Sequence, residues 1–292
     1  MALAQQIALG YLRAKLNLLG VVSPKKAAKE ALIIFSTPFR KAKKKVPPVF
    51  EKSELLQFSL HRKKVFAYRW NHPAPHRFLI LHGFESSAYN FDRYVKPMVR
   101  KGYEVVALDA PAHGKSEGKT INLLEYIEAI HETWKRYGPF DGVMAHSFGG
   151  LAICLYLHQH PQTKEPQVAL IAPATETSTA VDSFFRLLQM NDQIKEEFNR
   201  QVHQRTGFWP EDFSITRVAG TLKARVFWAH DENDDMTPLS DTLPIQQRKL
   251  PNFHFHITRG LGHRRIYRDN QVSRAIIDFF DDHGALDRPV RG

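Results

Sequence analysis

The nine residues Gly142-Val143-Met144-Ala145-His146-Ser147-Phe148-Gly149-Gly150 constrain this chain more than any other stretch. A short apolar run leads into a serine flanked by the small residues Ala145 and Gly149. A helical apolar pattern follows at once in Leu151, Ala152, Cys154 and Leu155. A buried strand, a tight turn and a helix would produce this pattern. A turn so sharp leaves no room for bulky side chains at positions 145 and 149. It lifts the Ser147 hydroxyl clear of the sheet. It also aims the backbone N–H of Phe148, at the helix start, towards any oxygen held beside Ser147. The common form of such an elbow is G-x-S-x-G; here Ala145 replaces the first glycine and adds one methyl group.

The chain has 292 residues, enough for one large α/β domain with an insertion or for two small domains. Its single cysteine, Cys154, excludes a disulfide framework and a cysteine metal cluster and fits a reducing, cytoplasmic compartment. The formal net charge of +11 is unevenly placed. Residues 1–64 hold 14 Lys/Arg against 3 Asp/Glu, whereas residues 65–292 hold 27 of each. The excess therefore belongs to an N-terminal segment, which argues against a basic nucleic-acid cleft in the body of the protein; no nucleic-acid partner is expected.

Residues 1–50 read as a basic helical arm. Leu3, Ile7, Leu9, Leu12, Leu16, Leu18 and Leu19 suggest an amphipathic helix. Arg13 and Lys15 interrupt the run, so no apolar span of about 18 residues is available for a membrane crossing. Ser23-Pro24 reads as a helix N-cap followed by proline at the first helical position, opening a second helix to about Ser36. A basic run, Arg40-Lys41-Ala42-Lys43-Lys44-Lys45, and then Pro47-Pro48 close the segment. Such an arm packs on the main domain with a solvated charge run, or makes peripheral contact with an anionic membrane surface.

From Leu55 the period becomes two, with Leu56, Phe58 and Leu60 and then Val65 to Trp70 reading as a hairpin. Short buried strands follow at Phe78–Leu81, Val105–Leu108, the elbow, Val168–Ile171, Val226–Ala229 and Phe253–Ile257. Helices are expected near Phe91–Lys101, Leu123–Tyr137 and Gln271–Asp282. This alternation predicts an α/β fold, a mostly parallel sheet with helices on both faces. The core would comprise residues 51–173 and 223–292. Residues 174–222 break the rhythm; polar, helix-prone and spotted with aromatics, they read as an inserted helical cap.

A serine acts as a nucleophile only with a base, a carboxylate to orient that base, and donors for the oxyanion. The strand Val226–Ala229 ends in His230-Asp231-Glu232-Asn233-Asp234-Asp235, which puts carboxylates on the sheet edge that carries Ser147. The strand near Phe253–Ile257 is followed by Gly262-His263, a histidine in a loop that can reach over that edge. Asp231, Asp234 and Asp235 are all candidates for the acid, and His230 competes weakly for the base. His82, His113 and His146 read as loop braces. Gly114-Lys115-Ser116 lacks the earlier glycine of a phosphate-binding loop, because Asp109 stands there. Asp231-x-Asn233-x-Asp235 lacks the glycine and the closing acid of a calcium loop. No metal and no cofactor are expected.

With these motifs in this order, residues 55–283 resemble the α/β-hydrolase fold family, in its serine hydrolase (esterase or lipase-like) branch. His82-Gly83-Phe84 resembles the family's oxyanion loop, and Asp109 to Ser116 its second loop motif. Asp234, four residues before Pro238, falls where the family's acid sits, and His263 where its base sits. The resemblance implies Ser147 as nucleophile, His263 as base and Asp234 as orienting acid. The backbone N–H groups of Phe84 and Phe148 would form the oxyanion hole. It implies cleavage of an ester or thioester of a small-molecule acyl substrate through an acyl-enzyme. An acyltransferase with the same triad, or a non-catalytic binding protein on this fold, are the alternatives.

Overall fold

The computed structural model describes residues 3–39 and 45–280. The basic run Arg40–Lys44 and the last two residues expected in the closing helix, Asp281 and Asp282, lie outside them. Two N-terminal helices, α1 (Leu3–Val22) and α2 (Pro24–Phe35), precede eight strands: β1 (Glu54–Leu60), β2 (Lys63–Trp70), β3 (His76–Leu81), β4 (Tyr103–Asp109), β5 (Gly142–His146), β6 (Gln167–Ile171), β7 (Arg225–Asp231) and β8 (Phe253–Thr258). The later helices are α3 (Asp92–Arg100), α4 (Leu123–Tyr137), α5 (Phe148–Gln159), α6 (Thr177–Leu188), α7 (Asp192–Thr206), the short α8 (Ile215–Val218), α9 (Leu243–Gln247) and α10 (Gly262–Arg265), and α11 (Asn270–Phe279).

The strands form one sheet in the order β1-β2-β4-β3-β5-β6-β7-β8. The first two are an antiparallel hairpin closed by His61 and Arg62, both at positive φ (47° and 64°), as a two-residue turn matched to strand twist requires. β2 runs antiparallel to β4, and every later pairing is parallel. This is the mostly parallel sheet the alternation predicts. β4, β5 and β6 are buried along their whole length, which is why they read as continuous apolar runs rather than alternating ones. From β3 the chain continues to β4 on one side, and β5 lies on the other, so β3 and β5 are neighbours whose connections diverge. Crevices at the carboxyl ends of such strands are where ligands bind in open α/β sheets.

Helices α3 and α11 cover one face. Tyr94 and Met98 from the first with Phe91 just before it, and Val272 and Ile276 from the second with Phe280 just after it, share a core with Phe78, Ile80, Val105 and Met144 of the sheet. α4 and α5 pack on each other, with the Trp134 and Tyr156 rings 5.3 Å apart. Capping is local and legible. The Asn122 side chain accepts from the Glu125 N–H at the start of α4, and Asp269 accepts from Gln271 and Val272 at the start of α11. Between β6 and β7 the chain leaves the sheet at Thr175 and returns at Ile215, whose N–H donates to the Thr175 carbonyl at 2.9 Å.

Helices α1 and α2 form a second compact unit with the segment Glu176–Ser214, which contains α6 and α7. The Ser23 hydroxyl accepts from the Lys26 N–H and Pro24 occupies the first turn of α2, as the sequence predicts. Its core joins Leu16 of α1 and Ala27, Ala28, Ala31 and Leu32 of α2 to Val181, Phe185, Ile194 and Phe198. Gly20 lets α1 pass close to Ile194: a Cβ there would lie 2.5 Å from the Ile194 side chain. Arg13 and Asn17 donate to the Leu187 and Leu188 carbonyls at the end of α6, satisfying acceptors that a helix C-terminus leaves open. Phe198 is fully buried, with Phe35, Phe184 and Phe185 around it. Truncating it to alanine in Phe198→Ala should cost this unit about 3–5 kcal/mol, read as an earlier first transition in urea unfolding.

Candidate active site

Ser147 sits between β5 and α5 with φ 52° and ψ −119°, a backbone conformation that costs a non-glycine residue about 1–3 kcal/mol. The neighbouring strand end holds it there. Its N–H donates to the Ile171 carbonyl at 3.1 Å, and its own carbonyl accepts from Gly150 at 2.9 Å and Ala174 at 3.1 Å. Two glycines allow the close approach. A Cβ on Gly149 would stand 2.7 Å from the His82 carbonyl oxygen, and one on Gly83 would stand 2.8 Å from the Ser147 Cβ. The loop after β3 and the elbow after β5 therefore touch backbone to backbone.

The structure brings Ser147, His263 and Asp234 into one hydrogen-bonded chain. Ser147 Oγ lies 3.0 Å from His263 Nε2, and His263 Nδ1 lies 2.8 Å from Asp234 Oδ2. All three residues are buried. Asp234 also accepts from the Met236 and Thr237 N–H groups at 2.9 and 2.8 Å and from the Thr237 hydroxyl at 2.9 Å. Burial alone would raise its carboxyl. The hydrogen bond and charge of His263, with the two amides, outweigh that and hold it below the ordinary carboxylate range. Asp234 is thus an anion aimed at His263 Nδ1, and that leaves Nε2 to face the serine.

The rival acids separate cleanly. Asp235 is exposed. Asp231 is buried at the end of β7 and accepts from the Leu261 N–H at 3.0 Å, the Gly262 N–H at 2.9 Å and the Thr258 hydroxyl at 2.7 Å. It ties the loop that carries His263 to the strand that precedes Asp234. Burial works against its charge, but the amides of Gly262, Leu261 and Asn233 and the Thr258 hydroxyl keep its carboxyl low. This anchoring role is not among the readings the sequence offers for Asp231, a candidate acid and a rejected calcium-loop residue; its place at a strand end beside a glycine-rich loop is the available signal. His230 receives the Trp228 indole N–H at 3.1 Å and donates to the Thr237 carbonyl at 2.7 Å, so it braces the acid loop.

Phe84 and Phe148 flank the serine from the other side, their rings edge to face at 6.1 Å. The Phe148 N–H opens α5 and has no helical acceptor one turn back. Among the described residues neither the Phe84 nor the Phe148 amide is engaged by a protein acceptor. His82 sets the loop between them. Its Nε2 receives the Ala110 N–H at 3.0 Å, so its Nδ1–H donates to the Gly83 carbonyl at 2.7 Å. A peptide's N–H points opposite to its carbonyl, so fixing the Gly83 carbonyl also fixes the Phe84 N–H. His113 supports the same loop, accepting from the Glu85 N–H at 3.0 Å. His146, buried beside Ser147, faces the His263 carbonyl with Nε2 at 3.2 Å and lies against the His263 ring, centroids 4.7 Å apart. Burial, then the neighbouring His263, pushes it well below the ordinary histidine range, so it stays an uncharged neighbour. Arg265 donates to the Leu261 and Gly260 carbonyls, and Arg264 is exposed. Among the described residues no cluster of three metal-ligating side chains occurs.

Residues 72–208, which include the elbow and the loop after β3 but neither Asp234 nor His263, match the family described as serine aminopeptidase, S33. The uncharacterized protein YqkD of Bacillus subtilis is 20% identical over 250 residues, covering 80% of this chain and 81% of its own. A crystal structure of a bacterial membrane phospholipase A aligns with a TM-score of 0.63 at 15% identity, over 97% of this chain and 100% of that one. The esterase Pf2001 of Pyrococcus furiosus aligns with a TM-score of 0.60 at 18% identity, over 84% and 95%. The family match covers just under half of the chain, and the solved structures show that the chain has the α/β-hydrolase fold.

Burial pushes His82 down to about 4 from an ordinary value near 6.5. Between those values the unfolded chain binds a proton that the folded one refuses, so stability must fall as pH drops from about 6.5 to about 4. The loss from this residue should be on the order of 3 kcal/mol. Urea unfolding across that range should show the decline, and His82→Gln, neutral throughout, should make the slope shallower.

Proposed function

We propose that this protein is a serine hydrolase that cleaves a carboxylic ester or thioester through an acyl-enzyme. The observation that carries the reading is the buried chain from Ser147 Oγ through His263 to Asp234, at 3.0 and 2.8 Å. His263 Nε2 takes the Ser147 proton as Oγ attacks the acyl carbon. The C–O or C–S bond to the leaving group breaks as the same nitrogen returns that proton to the departing alcohol or thiol. Water then repeats the sequence: His263 takes its proton, the hydroxyl adds to the acyl carbon, and Ser147 leaves with the proton restored. Asp234 stabilises the imidazolium in both halves. The Phe84 and Phe148 N–H groups would hold the oxyanion, and losing one such donor elsewhere costs about 2.7–4 kcal/mol.

The preference for an ester over an amide is supported by the relatives whose names describe an esterase and a phospholipase on this fold. Labelling with a fluorophosphonate probe, together with turnover of p-nitrophenyl esters of increasing chain length, tests the reading. Wild type should label and turn over. Ser147→Ala should lose labelling, and Asp234→Asn should keep the fold but lower kcat by about 10⁴-fold. Turnover of an aminoacyl anilide without ester turnover would replace the ester reading. A folded wild type that neither labels nor hydrolyses would leave a binding protein.

A further inference from the structure

Helix α1 is apolar on two opposite sides. Leu9, Leu12, Leu16 and Leu19 face inwards and pack with α2, α6 and α7. Ile7, Tyr11, Leu18, Val21 and Val22 recur at the spacing of a second stripe and are 64–85% exposed. At 100° per residue this stripe is centred on Leu18 and lies roughly opposite Leu9 and Leu16. Ala14, also exposed, continues it. One apolar stripe suffices to hold a helix on a domain, and a contiguous second one left in water marks a surface for a partner.

Charge identifies that partner. Residues 1–45 hold ten Lys/Arg and one acid, Glu30, and Glu30 is already paired with Lys15 at 3.1 Å. Lys25 and Lys26 follow within four residues of Val22 and are exposed, as is Lys29. The sequence then adds the run from Arg40 to Lys45. A second copy of the chain would bring the same cations and repel. An acidic protein would satisfy the lysines but offer no continuous hydrocarbon for a stripe about four turns long. A bilayer with anionic headgroups supplies both at once: acyl chains for Ile7, Leu18, Val21 and Val22, an interfacial level for Tyr11, and negative charge for the lysines. No helix among the described residues is long and apolar enough to cross a membrane, so this helix would lie in the interface plane.

We infer that the outer face of α1 is a docking surface for anionic phospholipid membranes, with Ile7, Tyr11, Leu18, Val21 and Val22 entering the acyl boundary. The test is vesicle flotation of the full chain with phosphatidylcholine alone and with phosphatidylcholine mixed with phosphatidylglycerol. Binding to the mixed vesicles should exceed binding to the neutral ones by about tenfold or more and should weaken as salt is added. The double variant Ile7→Asp/Leu18→Asp should lose about tenfold of that binding while its circular dichroism and melting temperature stay those of wild type. If that variant does not fold, Lys25→Glu/Lys26→Glu/Lys29→Glu, which keeps the stripe, should lose the preference for anionic vesicles. Ser147→Ala should float like wild type, so the result stands apart from the hydrolase reading. Absence of flotation, equal binding to both vesicle types, or unchanged binding by the variants overturns the inference. So does a wild-type dimer in sedimentation that Ile7→Asp/Leu18→Asp dissociates without any vesicle binding; the stripe would then serve a second copy.

Discussion

The backbone of Ser147 at a positive φ is the constraint on which the rest of the site depends. A buried parallel strand cannot turn into a helix in one residue without such a conformation, and its cost must be met by the surroundings. The surroundings here are rigid. β5 is buried on both faces, the Ile171 carbonyl at the end of β6 takes the serine N–H, and Gly149 and Gly83 remove the Cβ atoms that would force the two loops apart. The strain is localised at the hydroxyl-bearing residue because everything around it is packed too closely to share it.

Around this fixed point the other groups arrive on separate strand ends, each with its own tether. Asp234 is held by two amides and a hydroxyl in the loop after β7, and the loop carrying His263 is tied back to β7 through Asp231. His82, His113, His146 and His230 all serve the geometry rather than the proton transfer proposed for His263. Burial lowers His82, His146 and His230, so near neutral pH these three stay uncharged hydrogen-bonding frames. A site crowded with histidines thus keeps its positive charge free to develop on one of them.

Much of this was legible in the sequence because the physics is local. Strands buried on both faces read as apolar runs, an elbow needs small residues at fixed offsets, and the cap Ser23-Pro24 announces its helix. The choice between Asp231 and Asp234 was not local. Both are acidic residues in one loop, and only the amides of Leu261 and Gly262, thirty residues on, distinguish a loop anchor from a carboxylate facing His263. The partnership of α1 and α2 with α6 and α7 was hidden for the same reason: a periodic stripe shows that a helix has an inner face, not which distant segment fills it. The outer stripe of α1 was hidden differently, since apolar residues on both sides of a helix blur into a single apolar run.

That two-sided helix has a consequence for how the protein behaves as a colloid. With hydrocarbon facing water along α1, what keeps separate molecules apart in a dilute buffer is their shared positive charge near it. Raising the ionic strength from about 0.01 M to 1 M shortens the reach of that repulsion from about 30 Å to about 3 Å, within contact distance of the exposed side chains. The same salt strengthens apolar association when the anion is sulfate or phosphate. Solubility should therefore decline with salt where most proteins of this charge would tolerate it, and a mild detergent should restore it.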